Sequence, residues 1–180
     1  PNGVELSQVA ALDPHQQHSL RQHLRVDRPI MLFTGSDHEP NREALRIIVE
    51  AARLRPAIDF VVIGSVAHCM KGTVDLPNVL LTGVISDAQK QVYLQMAHAG
   101  LNPMLKGSGT NLKLAEYAAW HLPILSTRLG ARGDVFVADR DYVEISEAGN
   151  PVTNVCHAID GFEAIDASVT WQRVLSADQQ

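Results

Sequence analysis

The sequence predicts an α/β fold: a Rossmann-like, three-layer domain built on a mainly parallel sheet of about six strands. Three observations lead there. Short, continuous apolar runs recur along the chain, several of them stopped by glycine. They alternate with segments whose apolar residues fall at helical spacing. No internal repeat or low-complexity stretch interrupts this alternation. A strand that is apolar at every position is buried on both faces, which is the situation in a parallel sheet covered by helices. Ligands in such folds sit outside the carboxyl ends of the strands, near the point where strand order switches. The loops after the strands are therefore where function is expected.

Residues 1–28 contain a polar segment, DPHQQHSLRQH, that reads as a solvated helix face. RPIMLFTG (28–35) is the first buried strand. PNREALRIIVEAARLRP (40–56) is helical, with apolar residues at 44, 45, 48, 49, 51 and 52. Pro40 suits its first turn and Pro56 a point just past its end. AIDFVVIG (57–64) and NVLLTG (78–83) are the second and third strands. SDAQKQVYLQMAHAG (86–100) opens with a Ser-x-x-Gln capping box and is expected to run as a helix to Gly100. AGLNPM (99–104) is a fourth strand, TNLKLAEYAAWH (110–121) a helix and LPILST (122–127) a fifth strand. DVFVA (134–138) is expected to be the sixth. NPVTNVCHAIDGF (150–162) and ASVTWQRVL (167–175) read as helices. The expected ligand loops are then 35–41, 64–70, 83–86, 103–110 and 127–133.

With 180 residues, 46% of them hydrophobic, the chain can bury a real core as one domain, 1–180. A net charge of −5 gives no basic field for nucleic acid. Cys69 and Cys156 are far apart and in no Cys-x-x-Cys spacing, which suggests a reduced, cytoplasmic protein. No apolar run approaches the roughly 18–20 residues that span a bilayer. Association with a membrane surface stays open. The opening PNGVEL has no start methionine and reads as the beginning of a piece of something larger.

Two of the four lysines, Lys106 and Lys113, flank the sequence Gly107-Ser108-Gly109-Thr110. Glycines let a backbone approach a ligand closely, and the N–H groups and dipole at a helix start favour an anion. Lys113 adds a full charge in the first turn. Phosphate binding and an ordinary strand-turn-helix corner both fit this pattern. It is not a Walker loop, because no Gly-Lys-Ser/Thr closes it. In GSDHEPN (35–41), Asp37 stands where a dinucleotide fingerprint needs its second glycine, which argues against plain NAD binding. Asp37, His38 and Asn41 are either ligand-facing or turn and cap residues. Glu116 is either a solvated helical glutamate or an acceptor for paired sugar hydroxyls. His15, His18 and His23 have no acidic or cysteine companions that would make a metal site. His68 beside Cys69 reads as structural or incidental, and no Ser-His-Asp or paired-carboxylate arrangement stands out.

In their order, these motifs resemble the C-terminal, donor-binding domain of the group 1 (family-4) glycosyltransferases of the GT-B fold. PNGV is similar to the segment after that family's interdomain hinge, with Glu5 in place of Asp. IMLFTGSDHEPNREAL resembles its first strand, turn and helix, and NVLLTGVISD the strand and turn near the donor base. GSGTNLKLAEYAAWHLPILSTRLGARG resembles its strongest motif, and SVTWQRVL its C-terminal helix. Three departures stand out. Ser108 occupies the first of two glutamate positions eight apart, the second being Glu116. The arginine and lysine that clamp the diphosphate after the first strand are absent from GSDHEPN, and His121 replaces a glycine.

The resemblance implies retaining transfer of a sugar from a nucleotide-diphosphate sugar, UDP- or GDP-linked, in glycan or polysaccharide biosynthesis, with no cofactor and no tightly bound metal. It places Lys113 and Ser108 at catalytic positions. Donor-binding positions fall on Gly35, His38, Asn41, Val84, Ile85, Gly107, Gly109, Thr110, Asn111, Leu112 and Glu116. Val84 and Ile85 would lie near the base, and Glu116 on the ribose. An acceptor glycan, lipid or small molecule would be held by an N-terminal domain absent from this chain, so the isolated domain is expected to bind donor and catalyse little. Full-length protein would be cytoplasmic or peripheral at the inner membrane face. Two other readings keep the same fold: a non-catalytic nucleotide-sugar-binding module, and a sugar-nucleotide epimerase-like domain.

Overall fold

The computed structural model describes residues 11–23, 26–108, 112–133 and 135–163. Six strands form one sheet: β1 Ile30–Thr34, β2 Asp59–Ile63, β3 Val79–Gly83, β4 Ala99–Asn102, β5 Ile124–Ser126 and β6 Val143–Glu144. The helices are α1 Pro14–His23, α2 Glu39–Leu54, α3 Asp87–Met96, α4 Leu112–Ala119 and α5 Pro151–Glu163, with a short 3-10 helix at Ser65–Met70. Strand order is β3-β2-β1-β4-β5-β6, and every pairing is parallel. In register, Leu32 faces Val61 on one side and Gly100 on the other. Winding outward from β1 to β3 and then back to β4 opens a crevice between the loops after β1 and β4.

The period of two along β1 divides the core. Met31 and Phe33 pack into one apolar cluster with Ala44, Leu45, Ile48, Val155 and Ile159 of α2 and α5. Ile30 and Leu32 face the opposite cluster with Leu94, Leu114 and Tyr117 of α3 and α4. All six apolar positions that mark α2 in the sequence are buried, so Ala44, Leu45, Ile48, Val49, Ala51 and Ala52 form the inner stripe. Among the described residues, no helix is long and apolar enough to cross a membrane.

Three local expectations are corrected. The sixth strand is not 134–138 but Val143–Glu144, where Val143 sits beside Leu125 and the Ile145 amide donates to the Ser126 carbonyl at 2.8 Å. Within 135–138 only Ala138 pairs, in an isolated bridge to Tyr142, while Val135 is 73% exposed. Apolar content misled there, because just Phe136 and Ala138 turn to the core. The capping box on α3 forms as expected, with Ser86 and Gln89 bonded reciprocally. The helix nevertheless stops at Met96. Arg21 of α1 takes the Met96 and Ala97 carbonyls at 2.9 and 2.5 Å, and Gly100 lies inside β4 instead of ending α3. The loop expected over 64–70 holds the 3-10 helix. The segment 167–175 and the post-hinge residues 1–10 lie outside the described residues.

Helix α4 is the element that bears most on function. Its Tyr117 is fully buried, and the phenol oxygen accepts the Thr34 amide of β1 at 3.0 Å. The ring passes over β4 at Gly100, where a Cβ would lie 2.4 to 2.8 Å from three ring carbons. α4 closes with a Schellman motif: the Leu122 amide reaches the Tyr117 carbonyl at 2.9 Å, and His121 adopts φ +54. The glycine that the resemblance expects at 121 is thus replaced at a position that requires the left-handed conformation.

Gly100→Ala is expected to destabilise the chain by about 1–3 kcal/mol, the usual cost of forcing an extra methyl into a packed site. Urea denaturation measures it. An unchanged midpoint would mean that Tyr117 can leave β4 freely.

Candidate functional site

The crevice at the switch point is a cleft of about 930 Å³. It is lined by Thr34 and Gly35 at the end of β1, Ile63 and Gly64 at the end of β2, and Met104 after β4. Two glycines allow those loops to meet. A Cβ on Gly64, whose φ is +108, would lie 2.2 Å from the Gly35 carbonyl oxygen. The Gly64 amide is bonded to Gly83 and the Gly35 amide to Ile63, so the strand ends are sewn together before any side chain contributes.

Of the residues singled out in the sequence, the cleft gathers Gly35, His38, Asn41, Val84, Ile85, Gly107, Ser108, Leu112, Lys113 and Glu116. Gly109, Thr110 and Asn111 lie outside the described residues. Two others turn elsewhere. Asp37 is exposed and holds Arg42 through a two-pronged pair at 2.6 and 3.0 Å, whose hydrogen bond keeps its carboxyl below the usual carboxylate range. Lys106 is 71% exposed and pairs with Glu43 at 3.2 Å. The two lysines around the Gly-Ser-Gly-Thr stretch therefore have different roles: one is a surface ion pair and the other sits in the cleft.

Lys113 lies in the first turn of α4. Its ammonium donates to Asn41 Oδ1 at 3.0 Å and stands 4.2 Å from the centre of the Phe33 ring, with Met104 Sδ at 3.9 Å. Asn41 is itself fixed by a bond from Nδ2 to the Ser36 carbonyl at 2.9 Å. Among the described residues no carboxylate forms an ion pair with Lys113. Burial, and secondarily the charge of Arg132, lower its pKa to about 7. A neutral amide and an aromatic face are modest company for a buried ammonium.

Glu116 follows one turn later on the same face of α4 and is paired with Lys90 of α3. It is neither a solvated helical glutamate nor an isolated acceptor. At the mouth, Val84 is 72% exposed beside Ile85, and Leu112 is 45% exposed. The cleft thus carries the Lys90–Glu116 ion pair, exposed apolar surface at Val84 and two further cations, Lys113 by Asn41 and Arg132 by Gly107. Lys90 and Arg132 line it too and were not singled out from the sequence. Lys90 lies in the segment expected to form the helix 86–100, with no feature that marked it as functional. Arg132 falls within the expected ligand loop 127–133 and at the end of the motif 107–133, neither of which marked it individually. Among the described residues, no group of three or more His, Cys, Asp or Glu side chains could hold a metal.

The family model described as glycosyl transferases group 1 matches residues 28–159. Among solved structures, the chain is similar to the C-terminal domain of a glycosyl transferase group 1 family protein (LpcC) from Francisella tularensis, at 14% identity and TM-score 0.66, covering 96% of this chain and 92% of that one. A glycosyltransferase from Rickettsia africae matches at 14% identity and TM-score 0.72, over 98% of this chain and 49% of that one. A trehalose-6-phosphate structure from E. coli, bound with UDP-2-fluoro glucose, matches at 14% identity and TM-score 0.61, over 96% and 45%. The chain therefore spans nearly all of the first and about half of the other two. No curated protein matches it.

The lowered pKa of Lys113 has a stability consequence. Between about pH 7 and the ordinary lysine value near 10.4, the unfolded chain binds a proton that the folded chain does not. Stability should rise with pH across that window and lose this contribution below it. Lys113→Met removes the slope and should be the more stable protein at pH 6. Denaturation curves for both proteins at pH 6, 7.5 and 9 test this, and parallel curves would show that Lys113 titrates normally.

Proposed function

Because the chain belongs to the group 1 glycosyl transferases, we propose that its cleft binds a nucleotide-diphosphate sugar and serves retaining transfer of that sugar to an acceptor glycan, lipid or small molecule. The observation that carries this reading is Lys113: a cleft-floor ammonium steadied by the neutral Asn41 amide, with its pKa lowered by burial. A diphosphate supplies the compensating charge. The charge polarity of the cleft orients the ligand, with phosphates toward Gly107 and Lys113. The ribose hydroxyls meet the Glu116 carboxylate, and the base meets the apolar surface of Val84 and Ile85.

The chemistry follows from that placement. As the bond between the anomeric carbon and the diphosphate oxygen breaks, its electron pair moves to the leaving oxygen. Negative charge grows there, and a preorganised ammonium stabilises it more in the transition state than in the bound donor. The negative charge of the bound diphosphate also raises the Lys113 pKa and keeps the amine protonated. Ser108 places a hydroxyl, not a carboxylate, at the sugar end of the cleft. That residue favours a second reading, a donor-binding module without turnover of its own. Donor consumption by protein carrying an acceptor domain separates the two, and consumption without any acceptor would point to epimerisation.

Calorimetry with UDP, GDP and ADP and their nucleosides, in EDTA, tests the reading. At least one diphosphate should bind without divalent metal. Lys113→Ala should weaken it by roughly 1.5–3 kcal/mol, about 10- to 150-fold in Kd, and leave the nucleoside nearly unchanged. Lys106→Ala should do neither, since its partner is Glu43. Equal losses for nucleoside and diphosphate would assign Lys113 to packing alone.

Glu116→Gln should weaken the nucleoside itself, by about tenfold if one charged hydrogen bond to the ribose is reduced to a neutral one. An unchanged nucleoside affinity would leave Glu116 as the partner of Lys90 and nothing more.

A further inference from the structure

We propose that Arg132 is a second diphosphate-binding residue, carried into the cleft by the turn after β5 and acting together with Lys113. The inference rests on the reading of the cleft as a diphosphate site and names a residue that this reading does not require.

The turn is built to deliver it. Thr127 donates its hydroxyl to the Met104 carbonyl at 2.6 Å and accepts the Gly130 amide at 2.9 Å, so the segment after β5 is bolted onto the segment after β4. Gly130 is pressed against β4 and β5: a Cβ there would lie 2.4 Å from Asn102 Nδ2 and 2.7 Å from Ser126 Oγ. Asn102 and Ser126 are fully buried and bonded to each other at 2.9 Å, so neither can give way cheaply. Ala131 is buried and its amide closes the turn on the Thr127 carbonyl at 3.0 Å. The next residue is Arg132.

The guanidinium is oriented as well as delivered. Nη1 donates to the Leu129 carbonyl of its own turn at 2.8 Å. Nη2 lies 3.5 Å from where a Cβ of Gly107 would stand, and Pro40 at the start of α2 is 3.6 Å from the same point. The fork therefore overhangs the glycine that opens the anion loop, between the segments following β1 and β4. Gly107 has φ +124, and a side chain there would fill this space. Arg132 and Lys113 are close enough for the charge of one to bear on the titration of the other. A guanidinium fork matches the oxygens of a phosphate group bidentately, so Arg132 offers a second cation to an anion held at Lys113 and Gly107.

The test uses this chain, whichever of UDP, GDP or ADP binds it, the corresponding nucleoside, and inorganic pyrophosphate as competitor. Arg132→Gln should weaken the diphosphate and pyrophosphate by about tenfold or more and leave the nucleoside within about twofold. Arg132→Lys keeps the charge without the fork and should fall between wild type and Arg132→Gln; it also serves if Arg132→Gln does not fold. Diphosphate affinity unchanged in both variants, while Lys113→Ala loses it, would overturn the role of Arg132 and leave the donor site intact. Equal loss of nucleoside and diphosphate would overturn it too, reducing Arg132 to a brace for the turn. Failure of the wild-type chain to bind any of the diphosphates would overturn both the site and this inference.

Discussion

The position of α4 depends on one contact, the Tyr117 ring laid over the bare backbone of Gly100. The ring can reach the sheet because β4 has no side chain at that point. Its hydroxyl then accepts the amide of Thr34, the last residue of β1. A buried backbone donor is satisfied by a side chain from a helix, which costs free energy to undo from either end. The consequence reaches the cleft directly. Lys113 and Glu116 are four and one residues before Tyr117 on the same short helix, and β1 ends beneath them. A tyrosine anchored at the switch point therefore sets the height and rotation of the two charged side chains that face the ligand space.

With α4 fixed, the cleft shows a conflict between stability and binding. Lys113 would be more comfortable in water; its lowered pKa is the sign of that. Asn41 and the Phe33 ring hold its ammonium in place without neutralising it. Glu116, by contrast, has its countercharge in Lys90, brought from α3. Among the described residues, Glu116 has a countercharge and Lys113 has none. Such asymmetry is hard to explain as a stabilising device, because an ion pair at both ends would serve the fold better. It is the arrangement expected where one end must receive charge from outside.

Much of this was legible in the sequence because the relevant patterns are local. The apolar runs, three of them stopped by glycine, marked β1 to β5, and the stripe at 44, 45, 48, 49, 51 and 52 is the buried face of α2. The loop before α4 declared itself through glycines and a lysine. What failed was non-local. Val135 and Val137 look like strand residues, yet the edge position beside β5 goes to Val143, whose neighbours Tyr142 and Ile145 are buried. α3 should have reached Gly100 by its own pattern, but Arg21 from α1 and the pairing of Ala99 with Met31 claim that backbone first. Lys90 and Arg132 were missed for the same reason: nothing in their immediate sequence shows that α3 and the turn after β5 converge on α4.

The polar ladder beneath the cleft explains why loops can do this work. Irregular segments are ordinarily the mobile part of a fold. Here Asn102 and Ser126, at the ends of β4 and β5, are buried and bonded to each other. Ser126 donates on to the Thr127 carbonyl at 2.9 Å, and Thr127 donates to Met104. The chain of hydroxyls and amide runs sideways across two strand ends and fastens one loop to the next. Buried polar groups are costly unless all are satisfied, and no buried side-chain nitrogen or oxygen among the described residues lacks a partner. A satisfied network of this kind adds rigidity more than it adds free energy. Its effect is to make the segments after β4 and β5 one body, so that Gly107 and Arg132 are held at a set distance from each other in the cleft.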